Sequence, residues 1–404
     1  MANRVVITGY GIVSSIGLNA DEVLHSLMIG HSGIGEITRF ETIHKGKLPI
    51  AEVRKSNEEL LEIGRLQELK NYTRTALLGI VAAREAAEMA CINEGRHIRK
   101  GLISATTVGG MDRSENFYPL FLENPSKGKL SEIIHHDCSD STEKVAETLG
   151  ALDFITTIST ACSSSANSIM LASEMIKAGM LDLVIAGGTD AVTRFTLNGF
   201  NTLMILDRDG CRPFDENRAG LTIGEGAAFL VLESEELALK RGKIIHGLLS
   251  GYGNANDAYH QTASSPEGTG ATLAMAKALA MNAIAPGSIS YINVHGTGTK
   301  NNDLSEGVAL QKIFGGNVPF FSSTKSFTGH TLAAAGAIEA VISLLSIKQN
   351  CIFPNLRWAT QMKELYISPV ATLVKDAGVE HVLSNSFGFG GNNSSLVFSK
   401  YNPR

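Results

Sequence analysis

Short runs of β-branched and apolar residues alternate along this chain with longer stretches whose apolar positions recur at helical spacing. In the first half, the runs at 4–8, 102–105, 154–158, 183–186 and 227–232 predict strands, and 76–90 and 167–178 predict helices between them. Gly187-Gly188 reads as a turn that ends the strand before it. The second half repeats the scheme, with strands at 244–250, 289–294, 320–322, 382–385 and 395–398 and a helix at 333–347. Such alternation predicts an α/β fold with largely parallel sheets. The charged stretch at 233–242 is the seam, which divides the chain into 1–238 and 239–404. No Pro/Gly/Ser-rich linker lies there, so the halves are expected to form one rigid body.

Composition narrows the function. A chain of 404 residues, 44% hydrophobic and 19% charged, can bury a large core. A net charge of -5 gives no basic surface for nucleic acid or an anionic membrane. No membrane span is expected, and the N-terminal MANRVVITGYGIVSSIG reads as a strand running into glycines rather than a leader. The five cysteines are scattered and include no CxxC pair, which argues against zinc or a disulfide framework and for a reducing, cytoplasmic setting.

One cysteine stands apart. In DFITTISTACSSSANSI a β-branched strand runs out at Ser159-Thr160, Cys162 follows, and a helix begins through three serines. A cysteine there sits over the positive end of the helix dipole, which favours the thiolate, and its small neighbours leave room for a substrate. Its backbone N–H can face a developing oxyanion. A buried structural cysteine is the competing reading. Three further loops follow predicted strands: NVHGTGTKNNDLSEG holds His295, SSTKSFTGHTLAAAGAIEA holds Lys325 and His330, and SNSFGFGGNNSS surrounds Phe389 with glycines. Loop placement alone does not make either histidine catalytic.

Together, TACSSSANSI, VHGTGTKNND, STKSFTGHTLAAAGAIE and NSFGFGGNN resemble the signature of β-ketoacyl-acyl-carrier-protein synthases, the decarboxylating elongation enzymes of fatty acid and polyketide synthesis. The resemblance extends from VVITGYGIVSSIG through RPFDENRAGLTIGEGAA to the C-terminal loop. It implies a thiolase-like fold of five αβαβα layers from two similar halves, usually dimeric. It implies that Cys162 accepts the acyl chain, and that His295 and His330 serve malonyl-thioester binding and decarboxylation. The N–H groups of Cys162 and Phe389 would hold the oxyanion, and Phe389 would gate the site. Lys325 and its acidic partner Glu339 would orient it, with Asp303 and Glu306 in support. Thr297 and Thr299 would bond the phosphopantetheine arm of an acyl carrier protein. No cofactor is required. Relatives hold a buried cation at positions matching Asn293, Glu306, Glu339, Ser384 and Asn385; a metal-free hydrogen-bond network is the alternative there.

Acyl carrier proteins are acidic, so Arg65, Lys70, Lys127, Lys129 and Arg208 are candidate docking residues. The chain departs from the family pattern in two places. HGTGTKNND replaces the usual HGTGTPLGD, which brings in Lys300, Asn301 and Asn302, and the last loop reads GGNN where GGTN is usual. The first variant resembles specialised type II systems such as those making aryl polyenes, whose ketosynthase pairs as a heterodimer with a chain-length-factor homologue lacking the cysteine; a homodimer is the alternative. A thiolase-type acyltransferase is a competing reading, but thiolases use a second cysteine in a C-terminal CxG loop, and this chain has Phe389 there.

Overall fold

The predicted alternation becomes twelve strands and twelve helices among residues 4–68, 72–94 and 98–403, which the computed structural model describes. The strands are β1 (Val5–Ser14), β2 (Lys100–Ala105), β3 (Phe154–Ile158), β4 (Leu183–Asp190), β5 (Gly226–Ser234), β6 (Gly247–Asn256), β7 (Tyr291–Asn293), β8 (Phe320–Ser322), β9 (Cys351–Ile352), β10 (Val374–Lys375), β11 (His381–Phe387) and β12 (Asn392–Ser399). The helices are α1 (Ala20–Met28), α2 (Asn57–Ile63), α3 (Arg74–Ala90), α4 (Met111–Glu123), α5 (Cys138–Leu149), α6 (Ser164–Lys177), α7 (Arg194–Thr202), α8 (Glu235–Lys240), α9 (Thr269–Ala280), α10 (Lys300–Phe314), α11 (Lys325–Thr328) and α12 (Ala335–Gln349).

Ten strands form one sheet in the order β3-β2-β4-β5-β1-β6-β12-β11-β7-β8. Read outward from the centre, the two arms are the same: β1-β5-β4-β2-β3 matches β6-β12-β11-β7-β8, with the same parallel and antiparallel pairings. The arms meet where Val6 and Ile7 of β1 pair with Leu248 and Gly247 of β6. The expectation of largely parallel sheets is corrected here. β2 pairs parallel with β3 and β4, and β7 with β8 and β11, but every other pairing in the sheet is antiparallel. Antiparallel neighbours need no crossover: β4 and β11 turn back directly into their sheet neighbours β5 and β12, the first through a long excursion that carries α7.

The glycines also behave differently from a sequence reading. Gly187-Gly188 is not a turn, because β4 runs through both to Asp190. A Cβ on Gly187 would lie 2.0 Å from the carbonyl oxygen of Ala228 on β5. Likewise β1 continues past residue 8 through Gly11, whose missing Cβ lets the Ala82 carbonyl of α3 come down on the strand.

Packing gives five layers. In the centre, α6 and α12 lie against each other between the arms, and Ile169 and Ile176 meet Ile338, Ile342 and Leu345 over Ile7, Leu230 and Val382. On one outer face α3 and α5 cover Ile185 and Phe229, and on the other α9 and α10 cover Ile292 and Val397. The segment Leu332–Gln349 is long and apolar enough to cross a membrane, but it is this central layer, packed inside the protein. Each fully buried Leu or Ile there contributes about 1.5–3 kcal/mol. The central layer therefore fixes the starts of α6 and α12, and both open toward one pocket.

Candidate active site

Between the end of β3 and the start of α6 the chain has five residues in which to reverse, and Ala161 takes a left-handed conformation (φ 55°) to do so. That conformation costs a non-glycine residue about 1–3 kcal/mol. It delivers Cys162, 6% exposed, one residue before the helix N-cap Ser163. The Ser163 hydroxyl caps no N–H; its one proton has two acceptors within reach, the Thr160 carbonyl (2.8 Å) and Asn392 Oδ1 (2.7 Å). The backbone N–H of Phe389 lies beside the Cys162 thiol and favours its charged form. Burial pushes the thiol from 9.0 up to about 11, against the pull of Lys325 and the Phe389 N–H. Burial thus works against the thiolate that the helix start favours. A helix dipole supplies at most about 2 kcal/mol, and a pKa unit is about 1.4 kcal/mol, so burial prevails.

His295 and His330 come together edge to face, with ring centroids 5.3 Å apart and planes at 86°. Both are buried, and burial with the nearby Lys325 holds each well below the ordinary histidine range. Both imidazoles are therefore neutral at physiological pH. His330 Nδ1 accepts the Leu332 N–H (3.2 Å), which leaves the proton on Nε2. His295 Nδ1 is buried without a partner. Lys325, at the first position of α11, donates to the His295 carbonyl (2.6 Å) and to Glu339 Oε1. Burial pushes Glu339 up to about 7 despite that lysine.

The loop from β7 to α10 is held by two carboxylates of α10. Asp303 accepts the N–H groups of Thr297 (3.0 Å), Gly298 (3.2 Å) and Phe214 (2.8 Å). Glu306 accepts those of His295 (2.9 Å) and Gly296 (2.8 Å), and the Asn385 amide (3.1 Å). The Thr297 and Thr299 hydroxyls lie 2.9 Å apart. Cys162, both histidines, both threonines and Phe389 line one cavity of about 520 Å³. Its outer wall is Phe200, Leu203, Met204 and Ile205, from the long excursion between β4 and β5, and Phe200 stacks on Phe389 with centroids 5.9 Å apart. Glu225 pins the end of that excursion: burial raises its pKa, but Arg74 and Arg39 outweigh it and hold it at about 2.

Residues 2–238 match the family model for the beta-ketoacyl synthase N-terminal domain, and residues 246–358 match that for the C-terminal domain. The chain belongs to the beta-ketoacyl synthase family. It is 36% identical over 410 residues to a 3-oxoacyl-[acyl-carrier-protein] synthase 2 of Staphylococcus aureus (strain COL), covering 98% of both chains. A synthase of the same name from Synechocystis is 34% identical over equal coverage. Among solved structures, the ishigamide ketosynthase/chain length factor superposes with a TM-score of 0.93 at 32% identity, covering 100% of both chains. The ketosynthase ApeO in complex with its chain length factor ApeC from Xenorhabdus doucetiae gives 0.86 at 31%, covering 99% of this chain and 98% of that one. The fold is thus the thiolase-type fold of ketosynthases.

The other residues singled out in this beta-ketoacyl synthase sequence fall into three groups. The five candidate cation-holding residues are all buried. Glu339 Oε2 and Ser384 Oγ are oxygens with no partner, and Asn293 meets Thr324 only at 3.4 Å. Unpaired carboxylate and hydroxyl oxygens are the donors a hard cation takes, so the set fits one. The docking candidates Arg65, Lys127, Lys129 and Arg208 are exposed; Arg65 and Lys127 already pair with Glu88 and Glu123, and Lys70 lies outside the described residues. Lys300, Asn301 and Asn302 line the pocket mouth. Asn301 clamps Ser264 across it, accepting its N–H (2.7 Å) and donating to its carbonyl (3.2 Å). Sequence reasoning missed Phe200, Asp190 and Asn392. Only Asn392 left a signal, in the GGNN departure.

Proposed function

We propose that the chain is a β-ketoacyl-acyl-carrier-protein synthase that joins a malonyl unit to an acyl chain held on Cys162. Support comes from one observation above all: a buried thiol that shares one pocket with two neutral imidazoles, with the Phe389 backbone N–H beside it. In the first half-reaction the thiol attacks the carrier thioester, the carrier's C–S bond breaks, and the Cys162 proton ends on the departing pantetheine sulfur. The N–H groups of Cys162 and Phe389 hold the tetrahedral oxyanion. In the second, the malonyl carboxylate leaves as CO₂, and its bonding pair becomes an enolate on the thioester oxygen. His330 Nε2–H and the His295 ring stabilise that charge. The enolate carbon then attacks the acyl carbonyl and Cys162 departs as thiolate, to be reprotonated. Neutral donors suit this step, since the charge they meet exists only after decarboxylation.

In this reading Thr297 and Thr299 bond the phosphopantetheine arm, and Phe389 stacks on Phe200 as a gate between them and Cys162. Lys325 with Glu339 keeps the site electropositive. A structural cation would be held by Glu339, Ser384, Glu306, Asn293 and Asn385, and its charge would offset the buried carboxylates. The partners are an acyl carrier protein and a second ketosynthase-fold subunit, in the cytoplasm. Lys300-Asn301-Asn302, with the likeness to two ketosynthases solved with chain length factors, favours a heterodimer in type II polyketide synthesis over a homodimer of fatty acid synthesis. Intact-mass measurement after offering a panel of acyl carrier proteins tests the reading: one acyl group should add to the protein and none to Cys162→Ala. Equal uptake by both would overturn it.

A further inference from the structure

The side-chain oxygen of Asn392 accepts three hydrogen bonds. Ser163 Oγ donates at 2.7 Å, Asn254 Nδ2 at 2.8 Å and Asn167 Nδ2 at 3.0 Å. The donors come from two elements: α6, through its N-cap Ser163 beside the nucleophile and through Asn167, and β6, through Asn254. The same residue closes the loop between β11 and β12, because its backbone carbonyl accepts the Gly388 N–H at 2.8 Å. Between these two ties lie Phe389, Gly390 and Gly391, and both glycines are at φ 79°. On the side away from the nucleophile these residues are already bonded, by Asn256 Nδ2 to the Gly390 carbonyl (3.0 Å), by the Gly390 N–H to the Gln261 carbonyl (2.7 Å) and by the Asp257 N–H to the Gly391 carbonyl (2.9 Å), whereas Asn392 supplies the side-chain tie to the start of α6. To serve as an oxyanion donor the Phe389 N–H must be held beside Cys162, facing the place where the thioester oxygen develops charge.

We infer that Asn392 is a positioning residue that latches the Phe389 loop to the start of α6 and so sets the Phe389 N–H over Cys162; the inference rests on the acyl-transfer reading. The chemistry selects asparagine. A carbonyl oxygen two bonds beyond Cβ reaches all three donors and offers two lone pairs in a fixed plane. Threonine, usual at this place in the family, has its oxygen on Cβ and must also place a hydroxyl proton. Ser163 is the hinge of the argument. Its hydroxyl leaves the helix N–H groups uncapped and spends itself on Asn392 and Thr160. The latch ties the loop to the residue next to the nucleophile, so loop and sulfur move together.

The test separates positioning from plain stability. Three quantities are measured in the full-length protein and its variants: acyl transfer to Cys162 from an acyl carrier protein, CO₂ release from malonyl carrier, and the pH profile of Cys162 alkylation by iodoacetamide. Losing an oxyanion donor outright costs about 10²–10³-fold, so a displaced one in Asn392→Ala should slow acyl transfer by about tenfold or more. The alkylation profile should move to higher pH, and CO₂ release should stay within about twofold of wild type. Ser163→Ala should act in the same direction with a smaller loss, and cost nothing further in the Asn392→Ala background. If Asn392→Ala does not fold, Ser163→Ala alone must still split the two half-reactions. Equal losses in acyl transfer and CO₂ release, or fully additive effects of the two substitutions, would overturn the latch. A wild-type protein that never takes up an acyl group would instead refute the acyl-transfer reading; the alkylation profile, which needs no acyl donor, then decides the latch by itself.

Discussion

The two arms of the sheet share one strand order, yet their equivalent loops do opposite things. In the first arm the chain passes from β3 to α6 in five residues, all small and uncharged, and that turn presents Cys162. In the second it takes twelve residues from β8 to α12, and they carry α11, Lys325 and His330. The hairpins invert the pattern: 35 residues lie between β4 and β5, but only four between β11 and β12. A duplicated scaffold thus brings two helix starts to one pocket, and loop length decides which chemistry each can carry. A five-residue reversal has room for a sulfur and a strained backbone. Only the longer loop can bury a lysine, because it has the length to carry Lys325 to its two acceptors, the His295 carbonyl after β7 and Glu339 within α12. The arms are tied at the pocket by Asp190, which accepts from Thr106, Thr107 and Val108 of the first arm and from Ala333 at the foot of α12.

The sharpest way to break the comparison is to remove the charge that the second loop buries. Lys325→Met leaves Glu339 buried without its cation, and breaking a buried pair in this way costs about 3–5 kcal/mol. Cys162→Ala, at the equivalent turn of the first arm, should change stability by only about 1 kcal/mol while ending acyl uptake. Denaturant unfolding of both variants checks this. Equal destabilisation would mean that the two loops do not divide structural charge from nucleophile as argued. Adding Glu339→Leu to Lys325→Met should recover much of the loss, since the cost lies in the orphaned carboxylate.

Next in size is the division between half-reactions. His330→Ala removes one N–H donor to the enolate and should slow malonyl decarboxylation by about 10²–10³-fold. Acyl transfer to Cys162 should fall far less, since its oxyanion donors are backbone groups of the first arm and of the Phe389 loop. CO₂ release and intact-mass acylation, followed on the same samples, give the ratio. A ratio near one would place His330 in both steps and erase the separation.

Much of this was legible in the sequence, for a physical reason. Cys162, His295, Lys325 and Phe389 each sit just past the end of a strand, where β-branched runs give way to small residues, and His330 follows in the same loop as Lys325. That local change of pattern marks a strand end whatever the tertiary fold. What the sequence hid is what depends on contact across the chain. Gly187 looks like a turn because a glycine pair is a local turn signal, while its real cause, the Ala228 carbonyl, lies 41 residues away. Phe200 looks like any exposed-helix aromatic until it stacks on Phe389. What works against the thiolate was hidden for the same cause. The helix dipole is visible as a strand-to-helix junction, but the burial that outweighs it is made by distant segments.

The smallest effect concerns protons, and it tests the two loops against each other in one experiment. Cys162 is held up at about 11, so its thiolate fraction should rise tenfold for each pH unit between 7 and 10 without levelling off. Iodoacetamide alkylation, mapped to Cys162 by mass spectrometry, should follow that slope. The histidines of the second arm are shifted the other way. A histidine whose pKa is lowered is already neutral where an ordinary one is still half charged, so malonyl decarboxylation should show no inflection near 6.5 between pH 6 and 8. A plateau in alkylation near pH 8 would mean that burial does not hold the thiol up and that the first arm rests as thiolate. An inflection in decarboxylation near 6.5 would mean that water reaches the imidazole pair. Either result would show that the pocket is wetter than its walls imply. The pH slope at one loop and its absence at the other therefore report a single property, the exclusion of solvent by the segment at 200–205 and the Phe389 loop stacked upon it.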